Sequence, residues 1–197
     1  MTEYEKIKEN LDILLKKYKL EINFINEIFY LIIDKKNLID IITLLKDDNN
    51  TLLHQLSDIT AVDYIDHKQR FKLVYIFLSH KHNFRLILSI NLEDRESVPS
   101  ICKVFESANW YERECYDLFG IIFENHPDLR RIMTDYNFQG HPLRKDFPLT
   151  GHTEVRYDNL EKKVVYEPVK LSQEYRNFDY TSPWEGLNQD IIKEDEK

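Results

Sequence analysis

Apolar residues in this chain recur first at helical spacing. Tyr4, Ile7, Leu11, Leu14 and Tyr18 follow at steps of three and four, and Thr2 with Glu5 has capping-box spacing. Together they predict an amphipathic helix over residues 3–17. The run Ile28–Ile33 is apolar at every position, the pattern of a short strand buried on both faces. Asp34 then stands as the N-cap of a helix with Leu38, Ile41, Ile42 and Leu45 on one face. Residues 58–65 predict a strand of imperfect alternation, whereas FKLVYIFLS (71–79) and FRLILSI (84–90) are better strands. The latter puts Phe84, Leu86, Leu88 and Ile90 on one face and Arg85 and Ser89 on the other, and His80 to Asn83 forms the hairpin turn before it. Segment 51–56 carries no assignable pattern.

Pro99 opens a helical stretch, and Asn109 with Glu112 repeats the capping-box spacing, which predicts two short helices breaking around Ser107–Asn109. On the second, Tyr111, Cys115 and Leu118 share a face, Arg113 and Asp117 can pair at i,i+4, and Gly120 is the C-cap. This order implies an α+β fold: a small, mostly antiparallel or mixed sheet with helices packed on one face, over residues 1–123. A long extended C-terminal segment and tail follow, 124–197. Five of the six prolines fall from Pro127 onward, and only 163–169 there could be a short strand. The tail still carries Tyr157, Tyr166, Tyr175, Phe178, Tyr180 and Trp184. Each gains roughly 1.5–3 kcal/mol on burial, so they are expected to bury against the chain's own domain or a partner.

Composition narrows the function. A net charge of −8 argues against nucleic-acid binding through the overall field, and no apolar run approaches the roughly 18–20 residues that span a bilayer. The N-terminus, MTEYEKIKEN, reads as neither signal peptide nor transit peptide. Cys102 and Cys115 form no CxxC pair, which excludes an iron–sulfur cluster or cysteine zinc site built from this chain alone. All four glycines lie beyond residue 119 and none clusters, so no glycine-rich nucleotide loop exists.

Candidate chemistry is sparse. Glu112, Glu114 and Asp117 read as a solvated salt-bridge face around Arg113 rather than an acid–base pair. His126, His141 and His152 lack zinc-motif spacing. Arg130, Arg131, Arg144 and Lys145 are nearly balanced by Asp128, Asp135 and Asp146, which favours ion pairs within the chain or at an interface. A metal-dependent hydrolase using His126, Asp128 and His141, and a free-standing adaptor domain, are the alternative readings.

Residues 110–151, WYERECYDLFGIIFENHPDLRRIMTDYNFQGHPLRKDFPLTG, resemble the signature region of the 30-kDa (NuoC-type) subunit family of respiratory complex I. The likeness rests on Glu112–Glu114, Tyr116–Gly120, His126–Arg131, Thr134–Tyr136 and Gly140–Leu149. Asn137 stands where that family usually has glycine, and asparagine tolerates the positive φ such a turn needs. Residues 154–185 are similar to the tail of mitochondrial members of the family.

The resemblance implies a non-catalytic structural subunit in the peripheral arm of the proton-pumping NADH:ubiquinone oxidoreductase. It would pack beside the 49-kDa subunit near the quinone module. It would hold no cofactor itself, FMN and iron–sulfur clusters belonging to other subunits. Candidate partner contacts are Glu112, Arg113 and Asp117; then His126, Asp128, Arg130 and Arg131; then His141, Leu143, Arg144, Lys145, Asp146 and Phe147; and in the tail Tyr175, Phe178, Tyr180 and Trp184. Pro142 and Pro148 predict that His141–Leu149 is a stiff extended strap. The mitochondrial-type tail, the absent import sequence and 53 of 197 residues that are Ile, Lys or Asn, with AT-rich codons, imply the matrix side of the mitochondrial inner membrane. A bacterial cytoplasmic membrane is the alternative.

Overall fold

The computed structural model describes residues 3–173. They fall in two compact units, Met1–Leu149 and Thr150–Lys197. Residues 124–149, which the sequence groups with the tail, are therefore folded into the first unit. Hydrogen bonds from this segment to Asp63, Asp117 and the end of the helix before it hold it there.

The first unit begins with helix α1 (Glu3–Leu14), whose Ile7 and Leu11 are buried. Strands β1 (Ile22–Ile25) and β2 (Ile28–Ile32) form an antiparallel hairpin. Asp34 caps a short 3₁₀ turn by accepting the Lys36 N–H, and this turn leads into α2 (Leu38–Asp47). The four α2 positions expected inside, Leu38, Ile41, Ile42 and Leu45, are all buried. A three-stranded antiparallel meander follows: β3 (Gln55–Asp63), β4 (Phe71–Ser79) and β5 (Phe84–Leu92). The sheet order is β1-β2-β5-β4-β3, and β2 joins β5 in parallel, so the sheet is mixed but mostly antiparallel, as expected.

One sheet face carries Phe29, Leu31, Leu86, Leu88, Tyr75 and Phe77, and these share a single core with residues of α1 and α2. Among the described residues the opposite face is less covered: Val74, Ile76 and Ile87 are half-buried and Val62 is exposed. That is why the fully apolar run at β2 is buried on one side only: Phe29 and Leu31 are inside, Ile28 and Tyr30 are half-buried, and Ile32 is exposed.

Pro99 does not open a helix. It ends β6 (Ser97–Pro99), which pairs in parallel with β7 (Ile122–Glu124). Between these two short strands runs one helix, α3 (Ala108–Phe119), instead of two. The Asn109–Glu112 capping box does not form, because Ser107 is the N-cap and Glu112 points inward. Gly120 is the C-cap, with φ 77° and its N–H on the Tyr116 carbonyl.

The second unit contains the hairpin of β8 (Thr153–Asp158) and β9 (Lys163–Pro168). Among the described residues no helix is long and apolar enough to cross a membrane. Tyr175, Phe178, Tyr180 and Trp184 lie outside the described residues.

Candidate functional site

Helix α3 carries Cys115 and Phe119 into the core, and with them three charged residues, Glu112, Arg113 and Asp117. All three are buried, so the expected solvated face does not exist. Each charge is used on backbone that the chain lays over the helix. Arg113 and Asp117 make no pair with one another in the structure's ion pairs and hydrogen bonds. Arg113 instead donates from Nε to the Arg130 carbonyl (3.1 Å) and from Nη2 to the Arg131 carbonyl (3.4 Å), with its guanidinium over Trp110.

Asp117 is the centre of this arrangement. Its Oδ2 accepts the N–H groups of Ile132 (3.0 Å), Met133 (2.7 Å) and Thr134 (2.9 Å). Its Oδ1 accepts the Thr134 hydroxyl (2.7 Å) and Arg131 Nη1 (3.1 Å). Burial pushes the Asp117 carboxyl upward, but these donors outweigh it and hold the group below the usual carboxylate range. Arg131 also donates from both terminal nitrogens to the Gly140 carbonyl, 3.0 Å each, which closes the 131–140 loop at its base.

The far end of α3 is finished by the next segment. A helix leaves its last carbonyls without partners. Here the Asp117 carbonyl accepts His141 Nδ1–H (2.8 Å), the Leu118 carbonyl accepts the Leu143 N–H (3.0 Å) and the Phe119 carbonyl accepts Arg144 Nε (2.5 Å). Burial lowers the His141 pKa, against the opposing pull of the Asp117 carbonyl that Nδ1–H meets. The cationic Arg144 also complements the negative end of the helix dipole.

Residues 141–149 are therefore not an extended strap. Arg144 N–H bonds to the His141 carbonyl and Phe147 N–H to the Arg144 carbonyl, so the segment folds into consecutive turns. The prolines fix φ, which suits turns as well as extended chain.

A second clamp holds these turns to the sheet. Arg70 forks onto Asp63 through Nε (2.8 Å) and Nη2 (2.9 Å) and reaches Asp146 at 2.9 Å. The Lys145 N–H donates to Asp63 Oδ2 (2.7 Å). The Arg70 guanidinium holds both the Asp63 and the Asp146 carboxyls below the ordinary range. Asp63 and Arg70 are not legible from sequence, since nothing local marks an end-of-strand Asp as a clamp for residues far downstream. Phe147 stacks on Phe138 at 5.7 Å. Of the other expected contacts, Asp128 and Arg130 pair with each other on the surface (2.8 Å), and Leu143 and the Lys145 side chain are exposed.

The structure does not bring His126, Asp128 and His141 together as metal ligands. Among the described residues the one group with ligand-like spacing is Cys102, Glu112 and His126. Glu112 Oε1 accepts the Ile101 N–H (2.8 Å), and the Cys102 thiol donates to Oε2 (3.4 Å). Burial raises the Glu112 carboxyl above its usual range and pushes the Cys102 thiol up to about 11. His126 accepts the Asp128 N–H on Nδ1 (3.0 Å), so its proton sits on Nε2, directed at the Asn109 carbonyl (3.1 Å). Both ring nitrogens and the sulfur have hydrogen-bond partners within the chain, so the three side chains work as a hydrogen-bonded staple between α3 and its flanking segments. The spacing of the three residues in sequence gives no sign of the cluster.

Known proteins match this chain in sequence and in fold. A model of the family described as "Respiratory-chain NADH dehydrogenase, 30 Kd subunit" matches residues 31–153. The NuoC-type NADH-quinone oxidoreductase subunit of Ruegeria pomeroyi is 56% identical over 161 residues, 82% of this chain and 80% of that protein. Its namesake in Xanthobacter autotrophicus is 53% identical over 165 residues, 84% of this chain and 78% of that one. A chain in the structure of the membrane-bound sulfane sulfur reductase, an archaeal respiratory membrane complex, has the same fold at a TM-score of 0.64. It is 22% identical, and the match covers 73% of this chain and 86% of that one. The residues that clamp α3 to 126–149 lie almost entirely inside the matched region, and on these findings the chain belongs to the 30-kDa subunit family of the respiratory-chain NADH dehydrogenase.

Proposed function

We propose that this chain is a structural subunit of the peripheral arm of NADH:quinone oxidoreductase (complex I). In this reading it packs beside the 49-kDa subunit, supports the quinone-reducing module and contributes no catalytic group of its own. The observation that carries this reading is the use made of its charged residues. Glu112, Arg113, Asp117, Arg131, His141 and Arg144 all bind the chain's own backbone, so they order a surface and hold no substrate.

The same logic supports a chain without redox cofactors. The chain has two cysteines, and both sulfurs are engaged by its own groups, Cys102 with Glu112 and Cys115 with the Ile59 carbonyl (3.1 Å), whereas a cluster is held by about four cysteine thiolates. FMN and the iron–sulfur clusters then reside on other subunits. We assign the chain to the matrix side of the mitochondrial inner membrane, on its Ile-, Lys- and Asn-rich composition and its mitochondrial-type tail.

Native-gel separation of mildly solubilised membranes, with identification of co-migrating proteins, tests the assignment. The expected result is migration with the NADH-oxidising band and a 49-kDa partner. A chain that runs as a free monomer favours the adaptor reading, and one metal ion per purified chain favours the hydrolase.

A further inference from the structure

The core that α1, α2 and α3 share lies on one face of the five-stranded sheet. Strand register fixes what stands on the other. Tyr30 and Ile32 of β2 lie beside Ile87 and Ser89 of β5, and these beside Ile76 and Val74 of β4, with Leu78 further along that strand. Ile32 is exposed; Tyr30, Ile87, Val74, Ile76 and Leu78 are half-buried, and none belongs to the core cluster. Ser89, between Ile32 and Val74, turns its hydroxyl to the Leu31 carbonyl (3.3 Å). The apolar band is thus three strands wide, and it meets a cation at either end: Arg85, beside Leu78, and Lys72, beside Asn91. Neither cation has an ion-pair partner among the described residues. The flanking strands are mixed, with Asn23 and Ile25 on β1 and Asp58, Thr60 and Val62 on β3.

We propose that this face docks one amphipathic α-helix of another subunit of the oxidoreductase, laid along β4 and β5, with an apolar stripe and a carboxylate at each end. The inference rests on the subunit assignment above. Footprint and charge decide the occupant. Three adjacent strands make a band about 10 Å across, and the step from Arg85 to Asn91, level with Lys72, makes it about 20 Å long. A single helix of about 14 residues covers that area. A second sheet would extend over the polar positions of β1 and β3 as well. Carboxylates about 14 residues apart return to the same side of a helix, where they meet Arg85 and Lys72 together. A second copy of this chain does not fit. A two-fold axis lying in the face sets Arg85 on Arg85 and Lys72 on Lys72 when it runs along the strands, and Arg85 on Lys72 when it runs across them. Both arrangements put cation on cation.

The test uses the complex purified in mild detergent. With benzoylphenylalanine at position 76, irradiation is expected to cross-link this chain to one segment of another subunit, with apolar residues at steps of three and four between acidic ends. The same group at position 13, where Ile13 is exposed on α1, is expected to miss that segment. Lys72→Glu combined with Arg85→Glu should speed the loss of that subunit at least tenfold in low-salt detergent, with thermal unfolding of the free chain unchanged. Lys72→Arg combined with Arg85→Lys should keep the wild-type rate. No cross-link from position 76, or cross-links to lipid, to a second copy or to a segment without acidic ends, overturn the helix dock. So does a wild-type release rate in the double charge reversal. A wild-type chain that co-migrates with no NADH-oxidising band overturns the subunit assignment instead, while a cross-link to an acidic-ended helix in some other assembly still supports the dock.

Discussion

Glu112 and Asp117 sit on the same helix, both out of solvent, yet they titrate in opposite directions. Burial drives both carboxyls upward; it prevails at Glu112, whereas at Asp117 the backbone donors of residues 132–134 overcome it. The linkage signs differ accordingly. Stability tied to Asp117 is present above the ordinary carboxylate pKa and is lost as pH falls through its depressed folded value. Stability tied to Glu112 is complete below the ordinary pKa and is lost as pH rises through its raised value. Denaturant unfolding over about pH 3 to 8 should therefore separate two variants. Asp117→Ala is expected to lose about 3–5 kcal/mol near neutral pH and to flatten the acid limb. Glu112→Gln should instead flatten the decline toward neutral pH. Identical pH profiles for the two variants would contradict the assignment of these roles. Gly120 is a third single-residue point. An added Cβ would meet His141 Nε2 and Arg144 Nη2 at 2.6 Å, on a backbone already at φ 77°. Gly120→Ala should cost about 1–3 kcal/mol for the left-handed backbone alone. It should cost more once His141 and Arg144 are displaced from the helix end, which the shift in unfolding midpoint measures.

At the scale of elements, the first unit works as a helix enclosed by its own downstream chain. The Arg70 fork is the outer clasp, and lysine cannot replace it, because a single ammonium cannot hold Asp63 and Asp146 in one plane. Arg70→Lys is expected to loosen the turns over 141–149 and to speed tryptic cleavage after Lys145; unchanged cleavage would show that the clasp is dispensable. The sequence makes some of this legible and hides the rest for definable reasons. α1, α2, β4 and β5 are readable because one face of each is apolar at its natural period. β3 is blurred by a bulge: its register shifts between Leu56 and Asp58, so Leu56, Ile59 and Ala61 reach the core out of phase. β1 is hidden because its hairpin turn is Asn26-Glu27, both at positive φ, and Glu carries none of the turn signal that Gly would. The charged face of α3 looks solvated in sequence because its cover arrives ten to twenty residues later, on a proline-bearing segment with no periodicity. The motif that identifies the family lies in that same segment, so kinship is clearer than geometry.

At the scale of the whole molecule, assembly and turnover should come apart. Arg144 binds the Phe119 carbonyl and Asp94, and lies over Phe71. Arg144→Ala should therefore loosen the end of α3 together with the 141–149 turns, so less complex accumulates while turnover per assembled complex stays near normal. Normal complex levels with turnover reduced by orders of magnitude would mark Arg144 as catalytic and refute the structural role. The strand order β1-β2-β5-β4-β3 carries a consequence of another kind, for the route by which the chain folds. β3, β4 and β5 meet through short connections, whereas β2 reaches β5 only after α2 and two strands have intervened, and it does so in parallel. Closing that long loop is the slow, entropically unfavourable step. Refolding should thus start from the meander and finish when the β1–β2 hairpin docks. In pulse-labelled hydrogen exchange the amides of β4 would gain protection before those of β2, leaving the β5 edge briefly open to pairing with another strand.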